Sequence, residues 1–272
     1  MNKVAGLSVD FGGIECDGDI TPHITQVQVV RVIILAAGQG KRLLPLTSEV
    51  PKALLDIHGR TLIGRQIDAF ADCGLKDFVV VTGYGAQLME EALAEIAAQR
   101  GISIGTVFNP FYAVADNLAS CWLARREMTG DFIQVNGDNV FGADLVERLM
   151  AAPAAPVTVV INHKESYDTD DMKVMLDAGR LTEIGKMLPL GTVDGEAIGF
   201  YIFRGAGVQA YAHMLERSMR DPSGLKQWFP SAVGSLAKSI DITTIAINGI
   251  RWCEVDFPVD LQQARHLAAG WE

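Results

Sequence analysis

The chain has 272 residues, 49% of them hydrophobic and 21% charged, which is enough apolar material for one large α/β domain or two small ones. Its formal net charge of −10 argues against a protein whose main work is holding nucleic acid or an anionic membrane on a basic patch, yet leaves room for a few cations to dominate one cleft. Cys16, Cys73, Cys121 and Cys253 lack CxxC or zinc-ligand spacing and read as reduced thiols of a cytoplasmic protein.

Residues 1–30 mix acids with Gly12, Gly13 and Gly18, without the basic-then-apolar pattern of a signal peptide. They are expected to form an N-terminal extension with one short strand at most. No apolar run reaches the roughly 18–20 residues that span a bilayer. Val29–Leu35 is a short run rich in β-branched residues that enters a glycine loop, as a buried strand does. The spacing then predicts helix over Leu62–Cys73, strand over Asp77–Thr82, helix over Gln87–Arg100 and strand over Ser103–Phe108. Helix Asn117–Met128, strand Asp131–Val135 and helix Asp144–Ala151 follow. Strands alternating with helices predict a mostly parallel sheet covered on both faces, with ligands outside the carboxyl ends of its strands. After Pro156 the connections shorten. Strands are expected at Val157–Asn162, Lys173–Leu176, Leu181–Ile184 and Ile198–Phe203, with a turn at Asp177–Gly179. Helices are expected at Gly207–Arg220 and Gly224–Ala237, strands at Ile240–Ile247 and Ile250–Val255, and a closing helix at Pro258–Ala269.

Four segments carry chemistry. The first runs Leu35, Ala36, Ala37, Gly38, Gln39, Gly40, Lys41, Arg42, Leu43, then Pro45-Leu46-Thr47 and Pro51-Lys52-Ala53-Leu54. Its glycines let backbone N–H groups approach phosphate oxygens, and Lys41, Arg42 and Lys52 supply positive charge for a polyphosphate. Neither GxxxxGK[ST] nor GxGxxG is present. The second is Gln134-Val135-Asn136-Gly137-Asp138, which sets Asp138 at a strand's carboxyl end, where a carboxylate can hold a hard cation. The third is Asn109-Pro110-Phe111-Tyr112 followed by Asp116-Asn117-Leu118-Ala119-Ser120, with Gly83-Tyr84 before it. The fourth is Asp170-Asp171-Met172-Lys173, then Ile184-Gly185-Lys186, then Gly195-Glu196-Ala197-Ile198-Gly199. The five histidines, His23, His58, His163, His213 and His266, have no mutual spacing for metal or triad chemistry.

The first segment resembles the signature of the sugar-nucleotidyltransferase superfamily, the MobA-like NTP transferases, LAAGxGxRLxPLTxxxPKxLL. Lys41 stands where relatives often carry Ser or Thr. The third segment looks like the choline-phosphate cytidylyltransferase branch, with Asp116 for its first Asn. The fourth looks like relatives that activate inositol phosphate or phosphonates with CTP. The likeness runs from Arg31 to Leu267.

The resemblance implies an α/β, Rossmann-like nucleotidyltransferase fold. Its mostly parallel mixed sheet would have helices on both faces, with an NTP-binding half over 31–152 and a smaller, β-rich acceptor-binding half over 153–272. It implies an Mg²⁺-dependent enzyme, with Mg²⁺ on Asp138 and on Asp256 in Glu254-Val255-Asp256-Phe257-Pro258-Val259-Asp260-Leu261. Asp260 itself is expected at the start of the closing helix. Arg42, Lys52 and Lys186 would be the catalytic cations. Leu35, Ala36, Ala37, Gly38, Gly40, Lys41, Tyr84, Asn117 and Ser120 would bind the NTP, and Asp170, Asp171, Glu196, Gly199 and Trp228 the acceptor. The expected partners are CTP or another NTP and a small phosphorylated or phosphonate acceptor, with no nucleic acid and no membrane; a homodimer is left open. A sugar-1-phosphate nucleotidyltransferase using UTP, dTTP or GTP, and a noncatalytic nucleotide-binding domain, stay open as alternatives.

Overall fold

The computed structural model describes residues 30–247 and 249–271; the expected N-terminal extension, apart from Val30, lies outside the described residues. Strand β1, Arg31–Leu35, alternates its side chains. Val32 and Ile34 join one apolar cluster and Ile33 the cluster on the other face. A hairpin of β2, Asp56–Ile57, and β3, Arg60–Thr61, leads into α1, Leu62–Asp72. The Thr61 side chain caps that helix by accepting from Gly64 N at 3.1 Å. Then come β4, Asp77–Thr82, α2, Ala86–Arg100, β5, Ser103–Phe108, and α3, Asn117–Ala124. The expected helix to Met128 instead tightens into a 3-10 turn over Arg125–Glu127.

The chain continues through β6, Phe132–Asn136, β7, Asn139–Phe141, and α4, Ala143–Met150. Next are β8, Val157–Asn162, β9, Lys173–Asp177, β10, Arg180–Gly185, and β11, Gly195–Phe203. Helix α5, Ala206–Met219, is followed by a 3-10 segment, Pro222–Lys226, and by α6, Pro230–Leu236. The expected helix over Gly224–Ala237 is thus two pieces. Pro230 has no N–H to give to the preceding turn, so a helix starts there and does not pass through it. Strands β12, Ile242–Ala246, and β13, Trp252–Glu254, and helix α7, Pro258–Ala268, follow, with a 3-10 turn over Ala269–Trp271 after them.

Nine strands form one sheet in the order β5-β4-β1-β6-β11-β8-β12-β10-β9. The first four are parallel, β11 enters antiparallel between β6 and β8, and β12 runs parallel to β8. Helices α1, α2 and α4 cover one face, and α3, α5 and α6 the other. Phe70 of α1 is fully buried against Phe141 and Phe200, with ring centroids 5.5 and 5.9 Å apart. Burying such a ring contributes about 2–3 kcal/mol.

The element that most shapes the cleft is small. Strands β7 and β13 pair antiparallel, Asn139 opposite Glu254, and Val255 N donates to Asp138 O at 3.0 Å. This ribbon carries the segment after Glu254 to the carboxyl end of β6. Packing of Leu43, Val140, Val255 and Leu261 fixes it there.

Candidate active site

The loop after β1 is braced by its own backbone and by Thr47. Ala36 N donates to Val81 O, Tyr84 N to Ala37 O, and the Thr47 hydroxyl to Gly40 O at 2.9 Å. Gly40 has φ +76°, and a Cβ there would lie 2.8 Å from Lys52 Cβ. Only glycine lets the Lys52 side chain pass beside the loop.

Lys52 Nζ donates to Asp138 Oδ2 at 3.1 Å and to Asp256 Oδ1 at 2.7 Å. Arg42 Nη1 reaches Asp256 Oδ2 at 3.2 Å. Burial alone would lower the Lys52 pKa, but Asp138 and Asp256 outweigh it and hold the ammonium above its ordinary value. Burial likewise opposes ionisation of Asp256, and Lys52 and then Arg42 overcome it to hold that carboxyl low. Asp260 accepts from the N–H groups of Asp256 and Phe257 at 3.0 and 2.7 Å, so the start of α7 fixes the backbone that carries Asp256.

Glu254 was not singled out from the sequence. Oxygens of Asp138, Glu254 and Asp256 lie within 4.8 Å of one another and could hold a metal ion. The charge of Asp138 pushes the exposed Glu254 carboxyl up to about 8. Asp138 Oδ1 is buried with no hydrogen-bond partner. Clustered, under-satisfied carboxylate oxygens suit a hard divalent cation.

Two adjoining cavities open beside this group, of about 580 and 240 Å³. Leu35, Ala37, Gly38 and Ser120 line the smaller, and Asn117 and Trp228 line both. Gly40, Lys41, Arg42, Asp138 and Asp256 line the larger on its loop side. Asp170, Asp171, Lys186, Glu196 and Gly199 line it on the side of β9 to β11. Three of the expected residues line neither cavity. Ala36 points into the core, Tyr84 donates its hydroxyl to Ser48 O, and Lys52 lies behind Gly40.

The acceptor-side acids differ from one another. Lys164 Nζ bonds Asp171 Oδ1 at 2.7 Å and Glu196 Oε2 at 2.6 Å, and Asn162 also donates to Glu196. Burial pushes Glu196 up despite Lys164, whereas for Asp171 the hydrogen bond from Lys164 overcomes burial and keeps it low. Lys173 is 1% exposed, and its Nζ donates to the carbonyls of Asp168 and Asp171 at 2.6 and 3.3 Å, tying down the loop that carries Asp170. Lys186 Nζ lies 4.5 Å from the Trp228 ring centroid. Asn136 and Tyr201 also line the larger cavity, and Asn136 Oδ1 and the Tyr201 hydroxyl are buried without partners. A Cβ on Gly199, whose φ is +77°, would lie 2.5 Å from Asn136 Nδ2.

This arrangement presents a glycine loop and cations facing clustered carboxylates, which suits a polyphosphate and a metal ion. Residues 32–220 match the MobA-like NTP transferase domain family, and the chain belongs to that family. It is 29% identical over 240 residues to the Bifunctional IPC transferase and DIPP synthase of Aquifex aeolicus, covering 87% of this chain and 51% of that protein. It is 30% identical over 251 residues to the CMP-5'-(3-aminopropyl)phosphonate synthase of Streptomyces rubellomurinus, covering 86% and 38%. The chain thus spans about half the length, or less, of these curated relatives. The structure of the inositol-1-phosphate CTP transferase from T. maritima superposes with a TM-score of 0.75 at 18% identity, over 89% of this chain and 96% of that one, a likeness of fold. Among the described residues no helix is long and apolar enough to cross a membrane.

Proposed function

We propose that this chain is a magnesium-dependent nucleotidyltransferase that moves CMP from CTP to a small phosphorylated or phosphonate acceptor and releases pyrophosphate. One observation carries the reading. Asp138 and Asp256, far apart in sequence, converge with Lys52 and Arg42 beside the glycine loop. The names of the relatives, a CMP-phosphonate synthase and a CTP transferase, favour CTP over other NTPs. The proposal assigns 31–152 to the NTP and 153–272 to the acceptor, and sets the reaction in the cytoplasm, in keeping with free thiols at Cys73, Cys121 and Cys253.

In this reading Leu35, Ala37, Gly38, Asn117 and Ser120 form the base and ribose site, with Ala36 contributing backbone and Tyr84 bracing the loop. Gly40, Lys41 and Arg42 hold the triphosphate, and Lys186 holds the acceptor's anion. An oxygen of that anion attacks the α-phosphorus. The new O–P bond forms as the bond to the β-phosphate oxygen breaks, and pyrophosphate leaves in line. A phosphate or phosphonate is already ionised at neutral pH, so no general base is needed. The work of the protein is to align two anions and offset their repulsion. Lys52 neutralises charge at the α-phosphate. Asp138 and Asp256, with Glu254 as a third carboxylate, would hold Mg²⁺, whose contribution is positive charge shared by the phosphates.

Pyrophosphate release with Mg²⁺, run as four NTPs against phosphomonoesters, phosphonates and sugar-1-phosphates, tests this. Release with CTP and a non-sugar acceptor is expected. Release with UTP, dTTP or GTP and a sugar-1-phosphate keeps the chemistry and overturns the nucleotide and acceptor. Nucleotide binding without release from any pair makes the chain a noncatalytic nucleotide-binding domain.

A further inference from the structure

The three acids on the acceptor side are not equally available. Asp171 and Glu196 already share the Lys164 ammonium, and Glu196 has Asn162 as well. Asp170 has only distant cations, Arg42 Nη1 and Lys186 Nζ, each 3.8 Å away, and its side chain is 62% exposed in the cleft. On the reading above, both of those cations are phosphate ligands. Binding two anionic substrates therefore draws away the charges that Asp170 now faces, and leaves a carboxylate beside the acceptor's phosphate. Such a juxtaposition is unfavourable unless another cation enters.

The structure shows what kind of cation fits. Lys186 Nζ is a primary ammonium, and it lies at once 3.8 Å from Asp170 Oδ1 and 4.5 Å from the Trp228 ring centroid. A carboxylate on one side and an indole face on the other is a receptor for an ammonium group. The wall continues behind it. Phe229 packs edge-on against Tyr201 at 4.9 Å, both residues line the same cavity, and the Tyr201 hydroxyl is buried without a partner. A buried hydroxyl left unpaired calls for a polar group from a ligand or a water.

We infer, resting on the nucleotidyltransferase reading, that the acceptor is a zwitterion: its phosphate or phosphonate takes Lys186, and an ammonium a few bonds away takes the place between Asp170 and Trp228 that Lys186 vacates. Asp170 and Trp228 thus select amino-bearing acceptors over polyol and sugar phosphates, while Asp171 and Glu196 hold the shape of the site through Lys164.

The test compares matched acceptors on the wild-type chain with CTP and Mg²⁺: 2-aminoethylphosphonate against ethylphosphonate, and phosphoethanolamine against inositol-1-phosphate and glucose-1-phosphate. The ammonium-bearing member of each set should have a kcat/KM higher by about tenfold or more, the scale of one charge-assisted contact with a cation–π contact. Asp170→Asn should raise KM for the amino acceptor by about tenfold and erase the discrimination; Trp228→Leu should erase it as well, and because the indole lines both cavities it should also raise KM for CTP. Equal or better turnover of the neutral acceptors overturns the zwitterion inference and leaves nucleotidyl transfer standing. No transfer to any acceptor, sugar phosphates included, overturns the nucleotidyltransferase reading and this inference together.

Discussion

Replacing Lys52 with methionine keeps most of the side chain's volume and removes one ammonium from between Asp138 and Asp256. The three side chains are 13%, 21% and 33% exposed, so the cluster is neither fully buried nor open. Removing one partner of a fully buried pair costs about 3–5 kcal/mol, and an exposed pair contributes about 0–1 kcal/mol. Lys52→Met should therefore lose about 2–3 kcal/mol, read as a lower urea midpoint at unchanged m. The two carboxylates left behind repel each other and should form a better divalent-cation site than the wild type, where Mg²⁺ would have to compete with the ammonium. At about ten times its Kd, Mg²⁺ would restore about 1.4 kcal/mol to the variant and less to the wild type. Nucleotidyl transfer should fall by about 10²–10³-fold even with Mg²⁺ present, because the α-phosphate loses its cation. A variant as stable as the wild type, or one that Mg²⁺ stabilises no more than the wild type, would show that the Lys52 ammonium does not hold these carboxylates together.

Gly199→Ala should destabilise by about 2–4 kcal/mol, since it adds a left-handed-region strain to a collision with Asn136; the double variant with Asn136→Ala should recover the steric part and show non-additivity in urea unfolding. Lys173→Met should cost about 1–3 kcal/mol by leaving the Asp168 and Asp171 carbonyls unpaired, and should raise KM for the acceptor more than KM for CTP in steady-state assays. Asp260→Ala should lose about 1 kcal/mol of helix capping, and should also lower kcat, because its carboxylate holds the N–H of Asp256; an unchanged kcat in a folded variant would separate capping from chemistry.

The strands around the glycine loop were legible because Arg31–Leu35 and Asp77–Thr82 are compact apolar runs bounded by turn residues, and such runs depend little on distant neighbours. Of the β7–β13 ribbon only β13 was, inside the strand expected at Ile250–Val255; β7 and the pairing were not. β7 has three residues and shows no period of its own, and the partnership links positions more than a hundred residues apart. Missing that ribbon also hid Glu254, whose place beside Asp138 follows from the Asn139–Glu254 register and not from any local pattern. The pairing of Asp171 and Glu196 through Lys164 was equally invisible, because a run of acids reads the same whether or not a lysine across the fold neutralises it. The overrun of the helix through Pro230 had a signal in the sequence that was outweighed by the apolar spacing on both sides.

On the proposed function, Asp138 and Asp256 serve a reaction and not merely a fold. Pyrophosphate release from CTP and an amino-bearing phosphonate should be compared for the wild type, Asp138→Asn and Asp256→Asn, each with Mg²⁺ and with excess chelator, alongside calorimetry of nucleotide binding. Wild-type turnover should be abolished by the chelator, and kcat should fall at least about a hundredfold in both variants, which should still bind nucleotide. Turnover that survives either substitution or the chelator would contradict that role.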